Sequence, residues 1–172
     1  MKLFKIHIVY NIGLAGILFL SSCVSGGYSF TGASIGEAET INVKHFPNRA
    51  PMVQPTLSNT FTEALKDKFV QQTNLDLVNG TADMEFEGEI TGYEITPQAY
   101  QGDETAALSR LTITVKVKFI NRTDETQNFE TTFSAFDEYS SSKSINAVEN
   151  ELIDEIVGEL TDDIFNKAVV NW

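Results

Sequence analysis

Ala82-Asp83-Met84-Glu85-Phe86-Glu87-Gly88-Glu89-Ile90-Thr91-Gly92-Tyr93 is the stretch that decides the fold. Successive side chains of an extended chain point to opposite faces. Met84, Phe86 and Ile90 therefore share one face, and Glu85, Glu87, Glu89 and Thr91 share the other. Such a strand offers one face to a core and one to water. Gly88 and Gly92 fall on the apolar face, where they would let a helix pack close. Past Gly92 the phase slips, because Tyr93 and Ile95 become the apolar members, and a bulge or bend at Gly92 is expected. Pro97 to Ala107 reads as a polar loop.

Further along, Leu111, Ile113, Val115, Val117 and Phe119 alternate with Arg110, Thr112, Thr114, Lys116 and Lys118, a second strand. Asn121 to Glu125 is the hairpin connection. Phe129, Thr131, Phe133 and Ala135 mark the returning strand. Ser140-Ser141-Ser142 leads into a last helix, in which Ile145, Val148, Leu152, Ile156, Leu160, Ile164 and Ala168 form one stripe. Its other face is acidic, with Glu149, Glu151, Asp154, Glu155, Glu159, Asp162 and Asp163. Upstream, Leu57, Phe61, Leu65 and Phe69 recur every fourth residue, which predicts a helix over 56–73, and Pro55 suits its start. Leu75 to Val78 is short and is followed by the Asn79-Gly80 turn signal. Thr40 to Phe46 reads as a strand, with Ile41 and Val43 inward. Pro47, Pro51 and Pro55 break any ladder after it.

Each strand has one apolar face and each helix one apolar stripe. Two helices packed on one face of a four-stranded, mostly antiparallel sheet bury them all, giving a two-layer α+β sandwich. The other sheet face is then polar and wet, with glutamates on one strand and lysines on the next. Opposite charges across strands support pairing by about 0.2–1 kcal/mol.

The amino terminus has a different character. Lys2 and Lys5 precede an apolar run from Ile6 to Leu20, which ends on Leu20-Ser21-Ser22-Cys23. A membrane span needs about 20 apolar residues, and this run is shorter and interrupted by His7 and Asn11. It reads as a secretory signal over 1–22. Leu-Ser-Ser-Cys resembles the bacterial lipobox, and Cys23 is the one cysteine of the chain. Its thiol is the expected lipidation site, carrying acyl chains such as palmitate that hold the protein to a membrane at about 0.8 kcal/mol per buried methylene. Residues 23–38 follow as the lipidated tether and candidate first strand, and 39–172 as the α+β domain. Val24 occupies the position where aspartate signals inner-membrane retention, and Ser25, Gly26 and Gly27 lack an acidic export cluster. The expected location is the periplasmic side of the outer membrane.

Removal of residues 1–22 leaves 150 residues, about one domain. It also removes two of the twelve basic residues and none of the 24 acidic ones, so the mature charge is −14. Such a surface repels phosphate polymers and argues against nucleic acid as a partner. No basic cluster favours general binding to lipid headgroups.

The residues assemble no catalytic set. His45 is the lone histidine of the mature chain and reads as a surface or capping residue. There is no glycine-rich phosphate loop and no Gly-x-Ser-x-Gly elbow. Glu85, Glu87 and Glu89 sit in a row, whereas calcium takes about six to eight converging oxygens. No enzyme activity, metal site or cofactor is expected. The sequons at Asn79 and Asn121 carry little weight in a bacterial lipoprotein.

Several segments, in order, carry a resemblance. They are Tyr28-Ser29-Phe30-Thr31-Gly32-Ala33, Pro55 to Leu65, Ala82 to Tyr93, and Ile164-Phe165-Asn166-Lys167-Ala168 with Trp172. Together they are similar to the LptE family of lipopolysaccharide-assembly lipoproteins, in its Bacteroidetes-type form. The resemblance implies two helices against a four-stranded sheet. It also implies a one-to-one complex with an LptD-type outer-membrane β-barrel, in which the lipoprotein serves as plug and assembly factor for lipopolysaccharide transport. On that reading Pro97, Tyr100 and Gln101 are barrel-contact candidates, and Arg110, Lys116 and Lys118 are lipopolysaccharide-binding candidates. The charge of −14 counts against direct lipopolysaccharide binding and suits a basic barrel interior instead. The alternative is an auxiliary lipoprotein of another envelope lipid-transport or secretin system.

Overall fold

The computed structural model describes residues 35–98 and 107–169. Its elements run β1 (Thr40–Val43), α1 (Leu57–Gln72), β2 (Asp76–Leu77), β3 (Met84–Gln98), β4 (Leu108–Asn121), a 3-10 turn (Glu125–Gln127), β5 (Phe129–Ser140) and α2 (Ile145–Val169). The strands form one sheet in the order β2-β1-β3-β4-β5. Both helices contribute to a single core with the inner sheet face, so the α+β architecture follows the apolar periodicities.

The sheet has five strands, one more than the four expected, and it is mixed. β3, β4 and β5 form an antiparallel meander, while β1 runs parallel to both β2 and β3. β1, α1 and β2 are a βαβ unit, and its crossover helix is what makes the flanking strands parallel. β2 escaped the periodic reading because its two residues, both exposed, show no alternation.

In β3 and β4 the alternation holds. Met84, Phe86, Ile90, Leu111, Ile113, Val115, Val117 and Phe119 are all fully buried. The register of β3 on β4 shifts between Ile90 and Gly92, where the sequence changes phase, and Tyr93 then points inward. The two glycines do not receive a helix, contrary to expectation. Gly88 faces the Phe46 ring and the Lys116 backbone, and Gly92 faces Thr114.

Nor does Pro47 end the ladder. Its carbonyl accepts from the Ile90 N–H at 3.0 Å, and the Arg49 N–H donates to the Ile90 carbonyl at 2.8 Å. A proline in such a stretch withholds only its own missing N–H. Gln54, nearly buried, starts α1: its Oε1 accepts from the N–H groups of Thr56 and Leu57, each at 2.7 Å. These are donors that a helix start leaves unpaired.

Aromatic rings tie the layers together. Phe69 of α1 lies 4.9 Å from Phe86 of β3 and 5.1 Å from Phe165 of α2, measured between ring centroids. Phe86 in turn stacks on Phe119 at 4.6 Å.

Candidate functional site

The outer sheet face is the most highly organised charged surface of the domain. Its side chains come from the polar half of each alternating strand. Lys44, just after β1, reaches Glu85 at 2.5 Å and Glu87 at 2.8 Å. Lys118 of β4 meets Glu87 from the other side at 2.7 Å, as expected from their paired register. Lys116 meets Glu130 of β5 at 2.5 Å. Arg122 holds the Ala82 carbonyl at 3.1 Å and approaches Glu85 at 3.4 Å. Glu85 is only 6% exposed, and its two cations straddle it.

These pairs set the protonation states. The Lys118 ammonium, and then that of Lys44, hold the Glu87 carboxyl down at about 2. Glu85 and Glu87 push Lys44 upward. Glu130 raises Lys116, and Lys116 lowers Glu130. A depression of about 400 Å³ lies between these rows, and His45 and Glu89 also line it. Every lysine that borders it has a carboxylate partner, so an incoming phosphate would compete with carboxylates already in place.

Arg110, Lys116 and Lys118 share this face of β4 but do not form one cluster. Arg110 lies six residues from Lys116, about 20 Å at the rise of a strand. Its Nη2 binds Glu138 at 2.6 Å, and its guanidinium lies 3.9 Å from the centre of the Phe136 ring. The lysines' true companions are Lys44 and Arg122. Extending the alternation from Asn42 to Lys44 would have found the first, whereas no periodic signal marks Arg122 after the end of β4.

Pro97 is part of β3, opposite Ser109 of β4, and not part of a loop. Among the described residues β3 has no second neighbour beyond Ile90, and proline is accepted in such an edge stretch. Tyr100, Gln101 and Cys23 lie outside the described residues.

His45 Nε2 sits 3.0 Å from Ser58 Oγ. The Ser58 hydroxyl also makes a short hydrogen bond to the Phe46 carbonyl, which takes its one proton. His45 is then the donor to Ser58, which suits a clamp between β1 and α1 and not an activated nucleophile. Asn121, fully buried, organises the β4–β5 turn: its Oδ1 accepts from the N–H groups of Thr123 at 2.9 Å and Asp124 at 3.1 Å. Burial, and next the 2.5 Å bond to Glu149 of α2, hold the Tyr93 hydroxyl well above its usual pKa. Asp83 went unnoticed in the sequence. Its carboxylate accepts from the Thr40 hydroxyl at 2.8 Å, and then from the Glu39 and Thr40 N–H groups, each at 3.0 Å, which lowers its pKa.

Among the described residues no group of three histidine, cysteine, aspartate or glutamate side chains is placed to hold a metal ion. Among them, too, no helix is long and apolar enough to cross a membrane.

Two solved structures share the fold at low identity. A hypothetical protein from Chlamydia trachomatis is 10% identical, with TM-score 0.54 over 78% of this chain and 99% of its own. A putative neuraminyllactose-binding hemagglutinin homolog from Helicobacter pylori is 6% identical, with TM-score 0.51 over 76% of this chain and 83% of its own. A minor lipoprotein from Acinetobacter baumannii is 15% identical, with TM-score 0.46 over 76% of this chain and 91% of its own. No curated protein matches the sequence. The family described as LptE, lipopolysaccharide-assembly, matches residues 38–168, from just before β1 to the last turn of α2. The chain therefore belongs to the LptE family of lipopolysaccharide-assembly proteins.

Proposed function

We propose that this protein is a lipid-anchored partner of an LptD-type outer-membrane barrel, serving as plug and assembly factor while lipopolysaccharide passes to the cell surface. Cys23 carries the lipid, and the domain stands on the periplasmic side of the outer membrane. The partnership is one-to-one, and the protein breaks and makes no bonds. The family match across the whole α+β domain carries this reading. The rigid two-layer core and the ion-paired outer face are consistent with a docking part. A cradle for a small substrate would need convergent polar groups that are not already committed to one another.

The test is co-purification of the full chain with a C-terminal tag from outer membranes in mild detergent. The expected result is a large outer-membrane barrel in equimolar amount, retained through high salt. An inner-membrane transporter component in its place, or no partner, would overturn the reading. Cys23→Ser should abolish labelling by palmitate and move the protein out of the membrane fraction. A variant that stays lipidated would remove Cys23 from its role.

A further inference from the structure

Strand β5 ends the sheet, and its outer edge is open among the described residues. The geometry shows which backbone groups are free. The Ser141 N–H donates to the Ala107 carbonyl at 2.9 Å, one step beyond the Leu108–Ser140 pair. Peptide groups alternate sides along a strand, so the odd-numbered residues of β5 bond to β4. Glu130, Thr132, Ser134, Phe136 and Glu138 therefore turn their N–H and C=O groups away from the sheet. The Glu138 N–H is met by the Asp137 carboxylate at 2.7 Å. For Glu130, Thr132, Ser134 and Phe136, the outward N–H groups meet no partner among the described residues.

Proteins usually blunt such an edge with proline, lysine, a bulge or shortness. β5 has none of these: it runs from Phe129 to Ser140 without proline or lysine, and its register on β4 is unbroken, so its protection is limited to acidic side chains such as that of Asp137, which lies opposite Leu111 and caps the Glu138 N–H. The opposite edge is the two-residue β2 and, past Ile90, the end of β3, which carries Pro97. Beside the open edge lies a groove of about 450 Å³ between β5 and α2, lined by Phe136, Asp137, Glu151, Glu155, Ile156 and Glu159. Glu151, Glu155 and Glu159 stand one helical turn apart on a single stripe. Among the described residues none of the three has an ion-pair partner, whereas Asp162 on the same helix is paired with Lys68. Like charges at this spacing work against the helix until a cation joins them.

We propose that the open edge of β5 takes an extended, lysine- or arginine-bearing segment of the barrel partner as a sixth strand. The glutamate stripe of α2 receives its basic side chains, and Phe136, 49% exposed, supplies apolar contact. The main chain gives such a complex its hydrogen bonds, and the flanking pockets give it selectivity. Charge decides the occupant, because a second copy of this acidic chain would lay carboxylates on carboxylates. The proposal rests on the barrel partnership above and assigns a surface to it.

Thr132→Pro in the full lipidated chain tests it, since that proline removes an outward N–H and spares the ladder to β4. Barrel recovery should fall at least tenfold, with a melting temperature within a few degrees of wild type. Glu151→Lys with Glu155→Lys should lower recovery similarly. A photo-crosslinking residue at Ser134 in an otherwise native chain should couple to the barrel. Wild-type recovery from both variants, or a crosslink to a second copy, overturns strand addition while the partnership stands. If the wild-type chain captures no barrel, the partnership itself falls and the proposal falls with it.

Discussion

The ring of Phe46 stands where Gly88 would carry a side chain. A Cβ on residue 88 would lie 2.6 Å from Phe46 Cε1 and 2.0 Å from the Lys116 carbonyl oxygen. The ring is edge-on to Phe61 of α1 and fully buried, so it has little room to withdraw. The carbonyl belongs to the neighbouring strand and cannot rotate away. Gly88→Ala should therefore cost about 1–3 kcal/mol through overpacking, or roughly 4 °C of melting temperature per kcal/mol. A thermal melt matching wild type would show that the strands yield freely at this point.

Gln54 does the work usually done by a serine or aspartate at a helix start. Its carboxamide oxygen accepts from two N–H groups and the Thr56 hydroxyl, while Thr56 offers no side-chain cap. Gln54→Ala should lower stability by about 1–2 kcal/mol, read as a shift in urea midpoint. Gln54→Glu should retain most of the stability, because a carboxylate accepts the same bonds and suits the positive end of the helix. Equal losses in both variants would mean that the cap is not the cause.

Acid should weaken the contribution of the outer face to stability. Glu87 titrates near 2 when folded, against 4.5 for the free group. Its folded pKa is depressed, so its contribution is fully present above about pH 4.5 and is lost as pH falls toward 2. The partners are half exposed, which holds each pair to about 0–1 kcal/mol. Urea midpoints measured from pH 5 to pH 2 should fall less steeply for Glu87→Gln than for wild type. Unchanged steepness would assign the acid sensitivity to other carboxylates, beginning with Asp83 and Glu130, which are lowered in the same direction.

Phe69 is the ring through which α1 meets both the sheet and α2. Truncation to alanine should cost about 3–5 kcal/mol, as for other buried phenylalanines. That is a large share of the roughly 5–15 kcal/mol that holds a domain together. Phe69→Leu should cost much less. Calorimetry on the pair separates lost volume from lost aromatic contact, and equal losses would argue that ring geometry matters more than volume.

The sequence carried the parts of this fold that have a period. Met84 to Ile90 and Leu111 to Phe119 alternate because one face is buried, and Leu57 to Phe69 recurs by fours because one helical stripe is buried. Direction has no period, so nothing in Ile41 and Val43 revealed that their strand runs parallel to its neighbours. Asp76 and Leu77 are too few to alternate. Pro97 suggested a break, but at that point β3 has an edge on which a missing N–H costs nothing. The grouping of Arg110 with Lys116 and Lys118 was correct in face and wrong in distance, because a shared face does not limit separation along a strand. The carboxylate partners that occupy these cations came from other strands, and only the register revealed them.

The parallel pairing of β1 with β3 has a kinetic consequence. β3, β4 and β5 pair between chain neighbours, whereas β1 joins β3 only along Ile41–Val43 and at Asn48, and the Asp83–Thr40 clamp spans 43 positions. Closing long loops before contacts reward them is slow. The meander and α2 should form early, with the β1-α1-β2 half docking afterwards across a short seam. That seam is also where the finished domain should breathe most readily, so amides of β1 should exchange with solvent before those of β4. The β1-α1-β2 half of the domain would thus be the last to lock and the first to open.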